Sequence, residues 1–182
     1  MWYRDLCASI REKGDFKCIC DYHDFILDYN KPHIRRYFWQ FGKDLPVHIA
    51  FHEILTKDPW PVLHDHGRWF QTKILEGGYH EEFEDGVHLR DTGYSAYMDG
   101  NKLHRIYSLK DDKPCWTMWT FQGKADKELE FMVDGKLMNQ QDYVLRNFKI
   151  KEVHCPVDYI PFPDKSKFRW SDVHGCMVQT IS

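Results

Sequence analysis

The segment Leu63-His64-Asp65-His66-Gly67-Arg68-Trp69-Phe70-Gln71-Thr72-Lys73-Ile74-Leu75-Glu76-Gly77-Gly78 decides the reading of this chain. It opens on two histidines two apart and closes on a glycine pair, with an aromatic and aliphatic stretch between. Residues two apart in an extended strand project from one face, so His64 and His66 would aim two imidazoles at one point. Neutral imidazole is a ligand for Fe, Zn, Ni, Cu or Mn, and two of them supply part of a tetrahedral or octahedral shell. A third ligand has to come from elsewhere. Taken alone the pair also fits a solvated strand face, so its weight depends on its surroundings.

Those surroundings read as short strands. Upstream, Val47, Ile49 and Phe51 alternate with His48, Ala50 and His52 until Asp58, Pro59 and Pro61 break the run. Downstream, strands are expected over 70–75, 79–83, 93–98, 103–109 and 115–121. The punctuation is Gly77-Gly78, Asp85-Gly86, Asp99-Gly100 and residues 111–114, each a turn-forming cluster. Phe131, Val133 and Leu137 around Asp134-Gly135 match a two-residue hairpin. Strands this short and regular, with no helices interleaved, predict an antiparallel barrel or sandwich and not βαβ units.

At the ends the signals differ. Leu6 and Ile10, four apart among charged residues and followed by Gly14, predict a short amphipathic helix over 2–12. Between 17 and 41 the periodicity does not choose between helix and strand. The stretch 148–182 carries Pro156, Pro161 and Pro163 among scattered aromatics, and is expected to wrap the barrel as an extended tail. The 182 residues therefore read as one domain: an N-terminal extension over 1–44, a barrel over 45–147 and a C-terminal extension over 148–182.

Composition narrows the class. Hydrophobic residues are 42% and charged residues 29% with both signs mixed, which suits a globular protein. A net charge of -3 removes the broad attraction that non-specific nucleic-acid binding needs. No apolar run reaches the length of a membrane span, and Arg4 and Asp5 stand where a secretory signal would be apolar, so the cytoplasm is the expected compartment. In that compartment the six cysteines read as free thiols. Phosphate-loop, dinucleotide, nucleophile-elbow and HExxH motifs are all absent.

Taken with its spacing, the histidine segment resembles the two-part signature of the cupin superfamily. His64-x-His66 is followed after four residues by Gln71 and after six more by Gly78; later Gly93 and the Asp99-Gly100 turn precede His104. Gln71 stands where the family places its Glu, Asp99 where it places Pro, and Ser108 where it places Asn. The run 52–121, with Leu63 to His66, Ile74 to Tyr79, Leu103 to Ile106 and Pro114 to Thr117, is similar to a group of small cupin-fold proteins of bacteria and phages. The likeness extends faintly to 131–135.

The resemblance implies an antiparallel double-stranded β-helix, a jelly-roll barrel, with a divalent metal held by His64, His66 and His104. Three histidines without the Glu are similar to the set in thiol dioxygenases, which use Fe(II) and O2; Zn, Ni and Mn are the alternatives. Gln71, His52 and Arg68 are candidates for holding a metal-bound water or the substrate. Glu76 is the obvious substitute carboxylate, but before Gly77-Gly78 it reads rather as the cap of a strand end; Arg105 reads rather as a solvated arginine, and Tyr79, Tyr97 and Tyr107 as packing residues. His154-Cys155, His174-x-Cys176 and Cys18-x-Cys20 offer a competing zinc set, but without the usual spacing. The expected activity is a metal-dependent oxidoreductase, an Fe(II) dioxygenase acting on a small polar molecule. A metal-dependent lyase or isomerase, or a non-catalytic small-molecule-binding barrel, are the rivals. A homodimer through barrel edges is the expected assembly.

Overall fold

A computed structural model of the chain describes the backbone of residues 1–14, 16–23, 26–42, 44–140, 142–143, 168–171 and 176–179; side chains are described over 1–14, 33–42, 44–140 and 142–143. The helix α1 (Trp2–Glu12) comes first, followed by β1 (Phe16–His23), β2 (Ile26–Gln40) and β3 (Val47–Ile54). Next are β4 (Phe70–Glu76), β5 (Gly78–Phe83), β6 (Gly86–Asp91), β7 (Ser95–Met98), β8 (Arg105–Leu109) and β9 (Cys115–Gln122). The hairpin β10 (Glu130–Val133) and β11 (Lys136–Asn139) and the pair β12 (Phe168–Ser171) and β13 (Cys176–Gln179) complete the order. Every strand pairing is antiparallel.

Two sheets make the body. The larger runs β1-β2-β3-β9-β4-β7, and the smaller runs β6-β5-β8. Sequence neighbours β8 and β9 lie in different sheets, as do β4 and β5, and β9 inserts between β3 and β4. That crossing-over between faces is what turns a row of strands into a jelly-roll barrel. His64 closes the second wall. Its backbone bridges both His104 and Phe131, linking the β8 side of the smaller sheet to the β10–β11 hairpin. The bridge to His104 is a reciprocal pair, His64 N to His104 O at 3.0 Å and His104 N to His64 O at 2.9 Å.

Alternation along the strands fixes what faces inward. In β4, Phe70, Thr72 and Ile74 are buried while Gln71 and Lys73 are exposed. In β3, His48, Ala50, His52 and Ile54 are buried towards the barrel. Phe51, on the opposite face of β3, is buried as well, because α1 covers it. Tyr3, Cys7 and Ile10 of α1, at spacings of four and three, pack with Tyr37, Phe51 and Trp116 into a cluster on the outside of the larger sheet. The Leu6–Ile10 pair read from sequence is thus half of the contact face: Leu6 is only partly buried, and Tyr3 and Cys7 carry the rest.

Several expectations need correction. The segment 17–41, where periodicity did not choose between helix and strand, is β1 and β2, and β2 joins the main sheet by pairing with β3 from Ile34 to Gln40. Strand β6 was not foreseen, since its half-exposed residues lie just past the Asp85-Gly86 turn and look like loop. The His64–His66 segment is not a regular strand but a single bridge, although its alternation survives. Asp65, between the histidines, points the other way, accepting from Glu130 N at 3.0 Å and pairing with Lys127 Nζ at 2.6 Å. Gly67, at φ +60°, follows directly, and a Cβ there would collide with the Lys127 carbonyl oxygen. Only glycine gives both that turn and that approach.

The expected wrapping tail falls mostly outside the described residues, as do the side chains of Cys18, Cys20, His154, Cys155, His174 and Cys176. Cys7 and Cys115 are free and buried, and burial pushes each thiol up to about 12. No helix among the described residues is long and apolar enough to cross a membrane.

Candidate metal centre

The space between the two sheets holds a cavity of about 80 Å3. His64, His66 and His104 reach it from the smaller-sheet wall, and Arg36, His52, Thr72, Thr117 and Trp119 from the larger. One ring nitrogen from each of the three histidines lies within 4.8 Å of the others. The Nε2 atoms of His66 and His104 are 3.0 Å apart.

The protonation of these rings follows from their partners. Glu81, on the inward face of β5 and 1% exposed, places Oε1 2.7 Å from His104 Nδ1 and Oε2 2.9 Å from Arg90 Nε. The carboxylate accepts from both, so the His104 proton sits on Nδ1 and its Nε2 lone pair faces the cavity. Burial pushes the His64 imidazole down to about 4, with Asp58 pulling the other way and His104 adding to the depression. Burial, then the neighbouring His104 and His64, holds His66 well below the ordinary histidine range. Both rings are neutral at pH 7, as ligands must be. His64 Nδ1 is buried with no well-formed hydrogen bond.

A divalent cation fits this donor set. Cis nitrogens bonded to one ion at roughly 2.1 Å stand about 3 Å apart, the separation of His66 and His104 Nε2. The third histidine offers its nitrogen within 4.8 Å of these two. Behind the donors stands an arginine–carboxylate–imidazole chain, Arg90–Glu81–His104, of the kind that fixes the tautomer and orientation of a metal-bound histidine.

A second carboxylate flanks the site. Asp58 Oδ2 lies 4.0 Å from His64 Nε2 and accepts from the Ile106 amide at 2.6 Å, while Oδ1 is 3.2 Å from His33 Nε2. Burial opposes its ionisation, but the His33 hydrogen bond, the adjoining His64 and the Ile106 amide prevail and hold the carboxyl well below the usual range. Aromatic rings close the remainder: Phe70 and Trp119 lie 4.9 and 5.5 Å from His66, and Phe131 5.7 Å from His64.

The other candidates divide. His52 lines the cavity. Gln71 does not: it is exposed on the outer face of β4, beside Tyr97 and Thr120, because a strand alternates and Phe70 and Thr72 take the inward positions. Arg68 is outside the lining too; its Nη1 donates to the Gln122 carbonyl at 3.2 Å and its guanidinium lies over Phe121. Glu76 is at the surface, bonded to Tyr3 and to Arg4 at 2.7 Å. Arg105 pairs with Glu82. Tyr97 and Tyr107 are exposed, while Tyr79 lines the cavity with its hydroxyl held protonated by burial.

Sequence reading missed Glu81, Asp58 and Arg36. Glu81 was legible in one respect: it breaks an inward series of Tyr79 and Phe83, and a carboxylate on an apolar face is rarely idle. Asp58 sits among turn residues and looked like punctuation.

Compared with known proteins, the chain matches no family model and no curated protein. Solved structures give loose likenesses. An ectoine synthase from P. lautus is 14% identical, with 64% of this chain and 75% of that chain covered and a TM-score of 0.45. A cupin-2 domain from Rhodospirillum rubrum is 16% identical, covering 62% and 70%, with a TM-score of 0.44. An RmlC-like cupin from Shewanella frigidimarina is 12% identical, covering 50% and 78%, with a TM-score of 0.40. The strand order and the sheet-to-sheet crossings described above define an antiparallel jelly-roll barrel.

Proposed function

We propose that the chain is a metal-dependent enzyme in which His64, His66 and His104 hold one divalent ion, Fe(II) first among the possible ions, for the oxidation of a small polar molecule by O2. The observation that carries this reading is the convergence on one cavity of three imidazoles, His64 and His104 buried and His66 partly so, with a carboxylate behind one of them. Three neutral donors leave coordination positions for water, O2 or substrate, as a catalytic site requires. When bound, the ion supplies Lewis acidity and, as Fe(II), the electrons for O2 chemistry.

The residues of the chain do the rest. Glu81 holds the His104 ring, and Arg90 holds Glu81. Asp58 places negative charge beside His64 without touching it closely. Phe70, Trp119 and Phe131 keep bulk water away from the centre and strengthen its electrostatics. The volume of about 80 Å3 limits what enters to a small molecule, or to the reacting end of a larger one.

Elemental analysis of protein purified without a histidine tag tests the first half: about one equivalent of divalent metal is expected, lost in His104→Ala. An oxygen electrode tests the second, with O2 uptake that needs added Fe(II). Turnover without O2 consumption would reassign the centre to a lyase or isomerase, and absence of metal in the untagged protein would remove the proposal altogether.

A further inference from the structure

The larger-sheet wall of the cavity carries a charge that no described carboxylate meets in an ion pair; Asp58 acts on it only at longer range. Arg36 of β2 sits opposite His52 of β3, and His52 sits opposite Thr117 of β9, so the three form a row across the sheet facing the histidines. Arg36 Nε is buried without a hydrogen bond, and among the described residues no carboxylate pairs with this guanidinium. Three other arginines of the barrel have carboxylate partners, Arg35 with Glu53, Arg90 with Glu81 and Arg105 with Glu82, and Arg68 donates to the Gln122 carbonyl. Asp58, the carboxylate that lines the same cavity, is spent on His33 and the Ile106 amide.

Two further observations point the same way. His52 Nε2 is also buried without a partner. Trp119 is a shared wall: Arg36 lies over its ring at 5.4 Å, His52 is 4.9 Å away and His66 5.5 Å away. A ligand held by Arg36 against Trp119 therefore lies next to the three-histidine centre. Burial and the charge of Arg68 draw the guanidinium down to about 10, which leaves it protonated at neutral pH. An unanswered buried cation is unfavourable in a fold unless an anion completes it.

We propose that Arg36, with His52 beside it, is the binding subsite for the carboxylate of a small organic acid, held against Trp119 and facing His64, His66 and His104. A carboxylate suits the geometry better than a phosphate. One planar guanidinium matches one planar carboxylate, no second arginine or lysine among the described residues lines the cavity to balance a dianion, and the apolar wall of Ile34, Ile54 and Ile106 suits a short carbon chain. The inference names a substrate class for the reading above and rests on it for catalytic meaning; the anion site itself does not need the metal.

The test is calorimetric titration of the full-length protein with acetate, acetamide and inorganic phosphate, in zinc-loaded and metal-stripped forms. Acetate is expected to bind in both forms, and acetamide and phosphate not to compete with it. Arg36→Met, which keeps the stem against Trp119, should weaken acetate by about tenfold or more. It should leave zinc content unchanged and the melting temperature of anion-free protein equal or higher. Arg36→Lys should weaken acetate as well, because the fork is lost while the charge stays. Acetate binding that survives Arg36→Met, phosphate binding as tight as acetate, or absence of acetate binding to the wild type would each overturn the subsite. Acetate bound normally by a protein that takes up no metal would overturn the metal reading and leave the subsite standing.

Discussion

Glu81 is the residue whose chemistry is most exposed to test. In Glu81→Gln the amide can still meet one neighbour, but the charge that steadies both His104 and Arg90 is gone. Metal affinity should fall about 10- to 100-fold, read by competition with a chromophoric chelator. An unchanged affinity would mean that the carboxylate serves packing alone. The histidines set a pH dependence of their own. The His64 imidazole is drawn from its ordinary value near 6.5 down to about 4 by burial, so the unfolded chain binds the extra proton first as pH falls. Its stabilising contribution is complete above pH 6.5 and is lost as pH drops towards 4, on the order of 3 kcal/mol for this group. Urea titrations of metal-free protein at pH 7 and pH 5 should show the midpoint falling. A midpoint that holds steady across that interval would mean the ring is solvated.

At the scale of the element, Gly67 and α1 carry separate predictions. Gly67→Ala forces a Cβ onto the Lys127 carbonyl at a left-handed φ, which should cost about 1–3 kcal/mol and displace His66, so metal content should fall along with the melting temperature. Phe51→Ala, beneath α1 and far from the donors in character, should cost about 3–5 kcal/mol and leave metal stoichiometry intact in the protein that remains folded. Guanidinium titration beside elemental analysis separates the two outcomes.

The same elements show how far sequence could go. The helix over 2–12 and most of the strands after residue 46 were legible, because alternation and turn clusters are local signals. That His64 and His66 lie together was legible from their spacing of two, while His104 entered only through the family resemblance. Gln71 has the spacing of the family's Glu but not its direction, because a residue next to the buried Phe70 in a strand faces out. Strand β2 was not legible, since a mixed run of basic and aromatic residues makes sense only once α1 covers one face and the cavity lies on the other. Arg36 was lost with it.

For the molecule as a whole, the proposed metal site would link ion binding to folding. An ion that binds only the folded barrel stabilises it by about 2.7 kcal/mol at a hundred times its dissociation constant. For a chain of this size that corresponds to a rise of about 5–10 °C in melting temperature. Differential scanning calorimetry with and without zinc should show the rise in wild type and not in His104→Ala; equal melting curves would disconnect the histidines from any ion.

The bridge at position 64 gives that linkage a particular form. The peptide group of this residue sutures the smaller sheet to the β10–β11 hairpin, while its imidazole is turned to the interior. Stitch and donor therefore occupy one position but travel through different atoms. A side chain of similar size and no charge can replace the imidazole while the seam keeps its amide, whereas proline would remove the N–H that donates to the His104 carbonyl, so the chemistry of this wall can change without unpicking the vessel that contains it.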